Sequence, residues 1–245
     1  MIRKASSRWL TLVVIIITSL IGCHKSSSLQ GPAAVNIINA IPGSQPLIPV
    51  LGTTAAIPSY LNAANVPYGM ARMYTPLGGS TTIYIVQDAV GDTIAPEGHG
   101  TGVFSGAISF APYGIYSFFL ARDTVSADTM LVRDQIPTFT DSSAGVRFVN
   151  LSAPGQVFAV NIEGGVLGSE MSALPYKGIT SFIPHPGGAG PEAAGYLFVI
   201  RDQGGDSLTS FLWMPMAFKS NTLVITGSPD STGVRGLSVF AVNNY

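Results

Sequence analysis

The chain has 245 residues, of which 47% are hydrophobic and only 10% are charged, and its formal net charge is −1. This composition lies far from that of disordered chains and provides enough apolar material for a folded core. The sequence shows no basic patch that could hold nucleic acid, so no nucleic-acid partner is expected. The 28 glycines and 17 prolines favour many turns between short strands over long helices.

The N-terminus has the pattern of a secretory signal. Three basic residues, Arg3, Lys4 and Arg8, precede an uncharged apolar run from Trp9 to Ile21. As a helix this run would measure about 20 Å, which is shorter than the roughly 30 Å hydrocarbon core of a bilayer. We therefore predict a cleaved signal peptide at residues 1–22 instead of a permanent transmembrane anchor.

The apolar run ends in Leu20-Ile21-Gly22-Cys23, which resembles the bacterial lipobox. Cys23 is the only cysteine, so its use for lipid would leave no thiol for a disulfide or a metal site. We predict lipidation of Cys23, a flexible tether over residues 23–32, and the membrane as a partner through the N-terminal lipid. The alternative is a signal peptide that contains a cysteine by chance and is cut elsewhere.

These features predict an extracytoplasmic, lipid-anchored protein. His24 follows the cysteine in place of the aspartate that retains enterobacterial lipoproteins at the inner membrane, so the outer membrane is expected. Residues 25–28 lack an acidic cluster resembling the surface-export signal of Bacteroidota, so the periplasmic and the surface face both stay open. Removal of residues 1–22 would leave nine basic and thirteen acidic residues, a net charge near −4.

The remainder of the chain repeats itself. Residues 35–40 (VNIINA) match residues 146–151 (VRFVNL), 111 residues later, and a Pro-Gly pair follows each segment. A longer match aligns residues 83–94 with residues 197–208 at an offset of 114, and a looser third match has an offset of 108. Similar offsets in three segments indicate one unit of roughly 105 residues that occurs twice.

We predict an all-β fold with two tandem immunoglobulin-like β-sandwich domains, a first copy at residues 33–140 and a second copy at residues 141–245. The segments between turn residues are short and rich in Val, Ile, Phe, Tyr and Thr, which is typical of strands. No window of about 11 residues has helical periodicity without Gly or Pro, so little helix is expected. About seven short strands in each copy is the count of an immunoglobulin-like sandwich.

The opening of the second copy carries a family resemblance. Residues 144–154 (AGVRFVNLSAP), followed by Val160-Asn161-Ile162, resemble the first two strands and the intervening turn of the domain of unknown function 4397 family. In that family tandem copies are common, and an Asp near the junction, here Asp134, often precedes the next copy. The resemblance implies a secreted or cell-surface β-sandwich with no established catalytic residues, and the lipid-anchored form looks like lipoproteins of the Bacteroidota. The first copy departs from the pattern at residues 45–58, which leaves its strand pairing open.

The sequence lacks the usual signatures of catalysis. Of the three histidines, His24 lies in the tether, and His99 and His185 are interpreted as plain loop residues. Three histidines offer few of the groups that a catalytic triad or a histidine metal site needs. No nucleophile elbow, dinucleotide-binding motif or P-loop is present. We therefore predict no catalytic residues, no cofactor and no enzymatic activity, and an enzyme with an unrecognised site is the least favoured alternative.

Two pairs of loop aspartates, Asp88 with Asp92 and Asp202 with Asp206, are weak candidates for a metal site. Carboxylates at this spacing could share a Ca²⁺ ion with backbone carbonyls. The favoured alternative is a hairpin whose aspartates bond to their own loop amides while Gly supplies a positive φ, because two carboxylates are few ligands for a tight site. We therefore predict no bound metal.

The sequence identifies no ligand. Aromatic residues in or beside loops could stack on sugar rings or on protein partners, but core packing is favoured for most of them, and Trp213 is predicted to lie inside. We predict a non-catalytic binding or adhesion module whose candidate partners are a glycan or an envelope protein. The alternative from another class is a structural or accessory subunit of an envelope assembly, and the oligomeric state is open.

Overall fold

The computed structural model describes residues 31–52, 65–87, 101–188 and 195–244. Within these ranges the chain is built of short strands, and the predicted all-β class is confirmed. No helix in this part of the chain is long and apolar enough to cross a membrane. The predicted signal peptide, the lipidation site Cys23 and most of the tether lie outside the described residues.

The strands divide between the two copies of the sequence repeat. The first copy contains β1 (Ala34–Ala40), β2 (Leu47–Leu51), β3 (Ala71–Tyr74), β4 (Gly79–Gln87), β5 (Thr101–Phe110), β6 (Ile115–Ala121) and β7 (Asp128–Arg133). The second copy contains β8 (Ser143–Leu151), β9 (Val157–Ile162), β10 (Met171–Pro175), β11 (Ile183–Pro186), β12 (Tyr196–Arg201), β13 (Ser207–Trp213), β14 (Ser220–Thr226) and β15 (Ser238–Asn243). A 3₁₀ turn at Gly233–Arg235 precedes β15.

Each copy is a sandwich of two sheets. In the first copy the sheet β3-β1-β6-β7 faces the sheet β2-β4-β5, and in the second copy β11-β8-β14-β15 faces β10-β9-β12-β13. The opening strand runs parallel to β6 in the first copy and to β14 in the second. Because side chains alternate between the faces of a strand, Val35 and Ile37 of β1 enter the first core, while Val146 and Phe148 of β8 enter the second.

The repeat alignment at an offset of 114 is wrong by one residue. Ile83 and Ile85 of β4 are fully buried in the first core, and Phe198 and Ile200 of β12 are buried in the second. The sequence match sets Ile83 on Leu197, whose side chain is only partly buried, whereas the strand faces pair Ile83 with Phe198. A slip of one residue exchanges the two faces of a strand, and the slip is hidden in the sequence because both faces are apolar.

The third match, at an offset of 108, is also displaced. Parallel pairing sets Ile37 of β1 opposite Phe118 of β6, and it sets Phe148 of β8 opposite Leu223 of β14. Since Ile37 and Phe148 occupy equivalent positions, Phe118 corresponds to Leu223, at an offset of 105. Residues of β6 are therefore equivalent to residues of β14 at an offset of 105 and not 108.

The two copies pack against each other through the outer faces of their parallel-paired sheets. Ile38, Ala40 and Phe119 of the first copy point away from their own core and pack with Val149 and Val224 of the second. All five side chains are fully buried. Strands β1 and β8 are thus covered on both faces, which explains why both faces of each strand carry buried apolar residues.

A buried polar cluster lies at this contact between the copies. Arg147 of β8 donates from Nη2 to Asp134 Oδ1 at 2.8 Å and from Nε to Thr222 Oγ1 at 2.7 Å. Ser117 of β6 donates to Asp134 Oδ2 at 2.7 Å, and Thr222 donates to Asn244 Oδ1 at 2.7 Å. The side chains of Arg147 and Asp134 are only 4% and 1% exposed. Burial lowers the pKa of Arg147, and the charge of Asp134 opposes that shift.

A tyrosine of each copy also bonds to the last strand of the other copy. Tyr68 Oη lies 3.0 Å from Ser238 Oγ, and Tyr176 Oη donates to Asp128 Oδ2 at 2.5 Å. Lys177 Nζ adds an ion pair with Asp128 Oδ1 at 3.2 Å. The hydrogen bond from Tyr176, together with Lys177, holds the pKa of Asp128 below its ordinary value. The contact therefore joins equivalent surfaces of the two copies, as in a two-fold symmetric dimer.

Removal of Asp134 tests how strongly the buried cluster stabilises the fold. We expect Asp134→Ala to lower the free energy of unfolding by about 3–5 kcal/mol, because Arg147 is left buried without its charge partner. Urea denaturation followed by tryptophan fluorescence measures the change. Asp230→Ala, at an exposed loop position, is the control and should stay within about 0.5 kcal/mol of the wild type. A loss no larger than the control's would contradict the role given to the cluster.

Acid should weaken the bridge at Asp128. The pKa of Asp128 is lower in the folded state than in the unfolded state, where it is about 4. The ionised carboxylate therefore stabilises the fold fully above the unfolded-state pKa, and this stabilisation is lost as the pH falls through the folded-state pKa. We expect Asp128→Asn to reduce the free energy of unfolding by about 1 kcal/mol at pH 7, a gap that closes as the pH falls through the lowered folded-state pKa of Asp128. Urea titrations across this range measure the gap, and Tyr176→Phe should make it less dependent on pH. A gap of constant size would be evidence against this bridge.

Candidate functional site

A groove opens at the end of the molecule where turns of both copies meet. Its volume is about 430 Å³, within the range of small-molecule sites. The first copy contributes the β1–β2 turn and the β6–β7 loop, and the second copy contributes the β8–β9 turn and the loop between β14 and β15. The charged and hydroxyl-bearing lining includes Arg122, Asp123, Thr124, Ser228, Ser231 and Arg235.

A buried asparagine fixes the turn that each copy contributes to the groove. Asn39 Oδ1 accepts the N–H of Ile41, and Asn150 Oδ1 accepts the N–H of Ser152, both at 3.1 Å. Each asparagine also donates from Nδ2 to a backbone carbonyl of its own copy at 3.0 Å. Both side chains are completely buried, and fully bonded buried amides of this kind rigidify the backbone around them. The two asparagines are equivalent at the offset of 111, which the sequence repeat already shows.

Arg122 lies at the groove in a strained backbone conformation. Its φ of +77° is in the left-handed region, which costs a residue other than Gly about 1–2 kcal/mol. At the structural offset of 105 its counterpart is Gly227, with a φ of +84°. A Cβ on Gly227 would clash with the carbonyl oxygen of Gly236, so the second copy has no room for a side chain there. Both copies need this conformation, but only the first places a side chain on it.

Arg235 brings a second guanidinium to the groove from the other copy. It ends the 3₁₀ turn and is exposed. Asp123, the carboxylate among the lining residues, lies 3.6 Å from Arg122 Nε. Its Oδ1 already accepts the amides of Val125 and Ser126 at 2.9 and 2.6 Å. Within the part of the chain that the structure describes, the groove therefore presents two arginines and one carboxylate that is engaged by its own loop.

The aspartates of the β12–β13 hairpin bond to their own loop. Asp202 Oδ1 accepts the N–H of Asp206 at 2.9 Å, and the N–H of Asp202 donates to the carbonyl of Asp206 at 3.0 Å. Gly205 supplies the positive φ, at +93°. Across the described ranges no three His, Cys, Asp or Glu side chains form a group that could hold a metal ion. The other candidate positions, Asp88, Asp92 and Cys23, lie outside the described residues.

The interpretation of His185 as a plain loop residue is wrong. His185 lies on β11, is 8% exposed, and its Nε2 is 3.2 Å from Glu170 Oε2. The rings of Tyr196 and Trp213 lie at centroid distances of 4.8 and 5.8 Å, and Trp213 is buried, as the sequence predicted. The prolines on both sides of His185 hid the strand, because an edge strand such as β11 tolerates proline. His185 and Glu170 pack beside the second core and are not among the residues that line the groove. His99 lies outside the described residues.

No protein-family profile and no curated protein matches the chain. A crystal structure of a candidate adhesin from Bacteroides ovatus aligns over 86% of this chain and 92% of its own, with 9% identity and a TM-score of 0.26. The TIE protein of Bacillus anthracis aligns over 87% of this chain and 44% of its own, with 8% identity and a TM-score of 0.23. Similarity at this level carries no functional argument, and membership of the domain of unknown function 4397 family stays a prediction.

The sequence did not point to Arg122 and Arg235 as functional residues. At the offset of 108 Arg122 falls opposite Asp230, a pairing with no structural meaning. At the offset of 105 it falls opposite Gly227, and the exchange of Gly for Arg at a left-handed position becomes visible. The signal was therefore present in the sequence, but only the strand register reveals it.

Two substitutions at Arg122 separate the backbone strain from the side chain. Arg122→Gly and Arg122→Ala both remove the guanidinium, but only Gly adopts the left-handed conformation without strain. We expect the Gly variant to be more stable than the Ala variant by about 1 kcal/mol. Gly227→Ala should be destabilised more than either, because its Cβ meets the Gly236 carbonyl. Calorimetric unfolding ranks the three, and equal stability of the two Arg122 variants would argue against strain at this position.

Proposed function

We propose that the protein is a non-catalytic binding module of the cell envelope, carried by a lipid on Cys23, and that the groove between its copies holds the ligand. The main support for the proposal is that turns of both copies form the groove and that buried Asn39 and Asn150 hold these turns by hydrogen bonds to their backbone amides. A preformed site loses little conformational freedom on binding, which increases its affinity. The groove thus resembles a recognition site in its rigidity and size.

The chemistry of the lining favours binding over catalysis. Hydroxyl groups such as those of Ser228 and Ser231 become nucleophiles only beside an oriented base. Among the described residues that line the groove there is no histidine, and Asp123 accepts two amides of its own loop. The guanidinium and hydroxyl groups are instead suited to hydrogen bonding with a polar ligand.

A binding screen with a blocked groove tests the proposal. The chain from Ser26 onwards is screened against glycans and envelope proteins, and each ligand found is titrated against Ala153→Trp, which places an indole in the groove. Val166→Trp, at an exposed loop position of the second copy, is the matched control. We expect the groove variant to lose at least about tenfold in affinity, or about 1.4 kcal/mol, and the control to bind as the wild type does.

A ligand that both variants bind as tightly as the wild type would place the binding site elsewhere.

The lipid anchor is tested in the whole chain, where labelled palmitate should be incorporated into the wild type but not into Cys23→Ser. Labelling of the Ser variant would refute the anchor and leave the groove untouched.

An exposed apolar patch on the second copy favours a second role, as a subunit of an envelope assembly. Leu212, Met214, Met216 and Phe218 are each at least half exposed, and the first three border a cavity of about 360 Å³. Contiguous apolar surface of this kind is typical of protein contacts. A discrete oligomer in solution that Met216→Lys dissociates would favour this role over that of a monomeric binder.

A further inference from the structure

Arg122 has a strained backbone but, among the described residues, no ion pair as short as that of Lys177. Lys177 has the same kind of strained backbone, with a φ of +58°, and it gains an ion pair with Asp128 at 3.2 Å. Arg122 has a longer ion pair with Asp123, in which both side chains are about half exposed, and a weak electrostatic interaction with the same Asp128. Such exposed pairs contribute little to stability. Residues held in sparsely populated backbone conformations are concentrated at ligand sites.

A second guanidinium lines the same groove from the other copy. Arg122 and Arg235 belong to different copies, and they share one groove only because the copies pack against each other. Guanidinium groups recognise carboxylate and sulfate groups through paired hydrogen bonds. The groove is therefore suited to a ligand that carries negative charge.

The rest of the lining narrows the class of ligand. Thr124, Ser228 and Ser231 bring hydroxyl groups, which both donate and accept hydrogen bonds as sugar hydroxyls do. Pro42 and Ala153 bring small apolar surfaces against which the C–H face of a sugar ring could pack. Peptides are usually bound along the edge of a sheet or as a helix in an apolar groove, and this groove is lined mainly by turns. We infer that the groove binds an acidic saccharide through Arg122 and Arg235, an inference that rests on the proposed function and names its ligand class.

The test compares one saccharide with and without its charge. Oligogalacturonate and its methyl ester are titrated by calorimetry into the chain from Ser26 onwards, which contains the whole compact unit Gly31–Tyr245. We expect the acid to bind at least about tenfold more tightly than the ester and its affinity to fall with added salt. Arg122→Gly, Arg122→Ala and Arg235→Gln should each weaken binding of the acid by about fivefold or more, and Arg122→Lys by less.

Comparison of the two Arg122 variants distinguishes a loss of affinity for the saccharide from a loss of folded protein. They should lose the same affinity although the Gly variant is the more stable of the two. An ester that binds as tightly as the acid, and is excluded by Ala153→Trp, would overturn the charge preference while the proposed function stands. Binding of polyglutamate in place of the saccharide, with dependence on Arg122, would assign the groove to acidic peptides. No binding of oligogalacturonate at all would overturn the inference, and the wider screen then decides the proposed function separately.

Discussion

The packing of the two central sheets against each other is the constraint on which the other features depend. Apolar side chains such as Phe119 and Val149 drive the contact, but apolar faces alone slide past one another at little cost. The buried pair of Arg147 and Asp134 does not tolerate such sliding, because each charge left alone in that environment costs several kcal/mol. We expect the pair to contribute specificity, because only a register that brings Arg147 to Asp134 avoids an unpaired buried charge.

That single register has a consequence for the ends of the sandwiches. Equivalent surfaces meet, as the reciprocal bonds of Tyr68 to Ser238 and Tyr176 to Asp128 show, so equivalent turns of the two copies come together at one end. A groove between turns of different copies exists only in this arrangement. The duplication thereby creates a surface that neither sandwich has alone, and its position follows from the buried interface.

The sequence predicted the strands and the two copies because Val, Ile and Phe between Gly and Pro are strong local signals. It did not predict the contact between the copies, because an apolar strand such as β1 reads the same whether its second face meets its own copy or another. The same ambiguity displaced the match at Ile83 by one residue. It also hid His185, whose neighbouring prolines resemble a loop although the edge of a sheet accepts them. Where the repeat carried a polar residue with a fixed role, as at Asn39 and Asn150, the sequence alignment was correct.

Departures from the internal symmetry carry more information about function than the symmetry itself. Two pairs of equivalent left-handed positions differ in the same way. Gly69 lies opposite Lys177, since their amides bond to the carbonyls of the equivalent Asn39 and Asn150, and Gly227 lies opposite Arg122. Glycine meets the backbone requirement without strain, so a basic residue persists there only where its side chain offsets the cost. For Lys177, the ion pair with Asp128 that joins the copies compensates for the backbone strain. Arg122 also lies within electrostatic reach of Asp128, but among the described residues its own ion pair, with Asp123, is longer and exposed, and its side chain lines the groove. The same physical reasoning that explains the lysine by an internal contact therefore points, for the arginine, to a charge supplied from outside the chain.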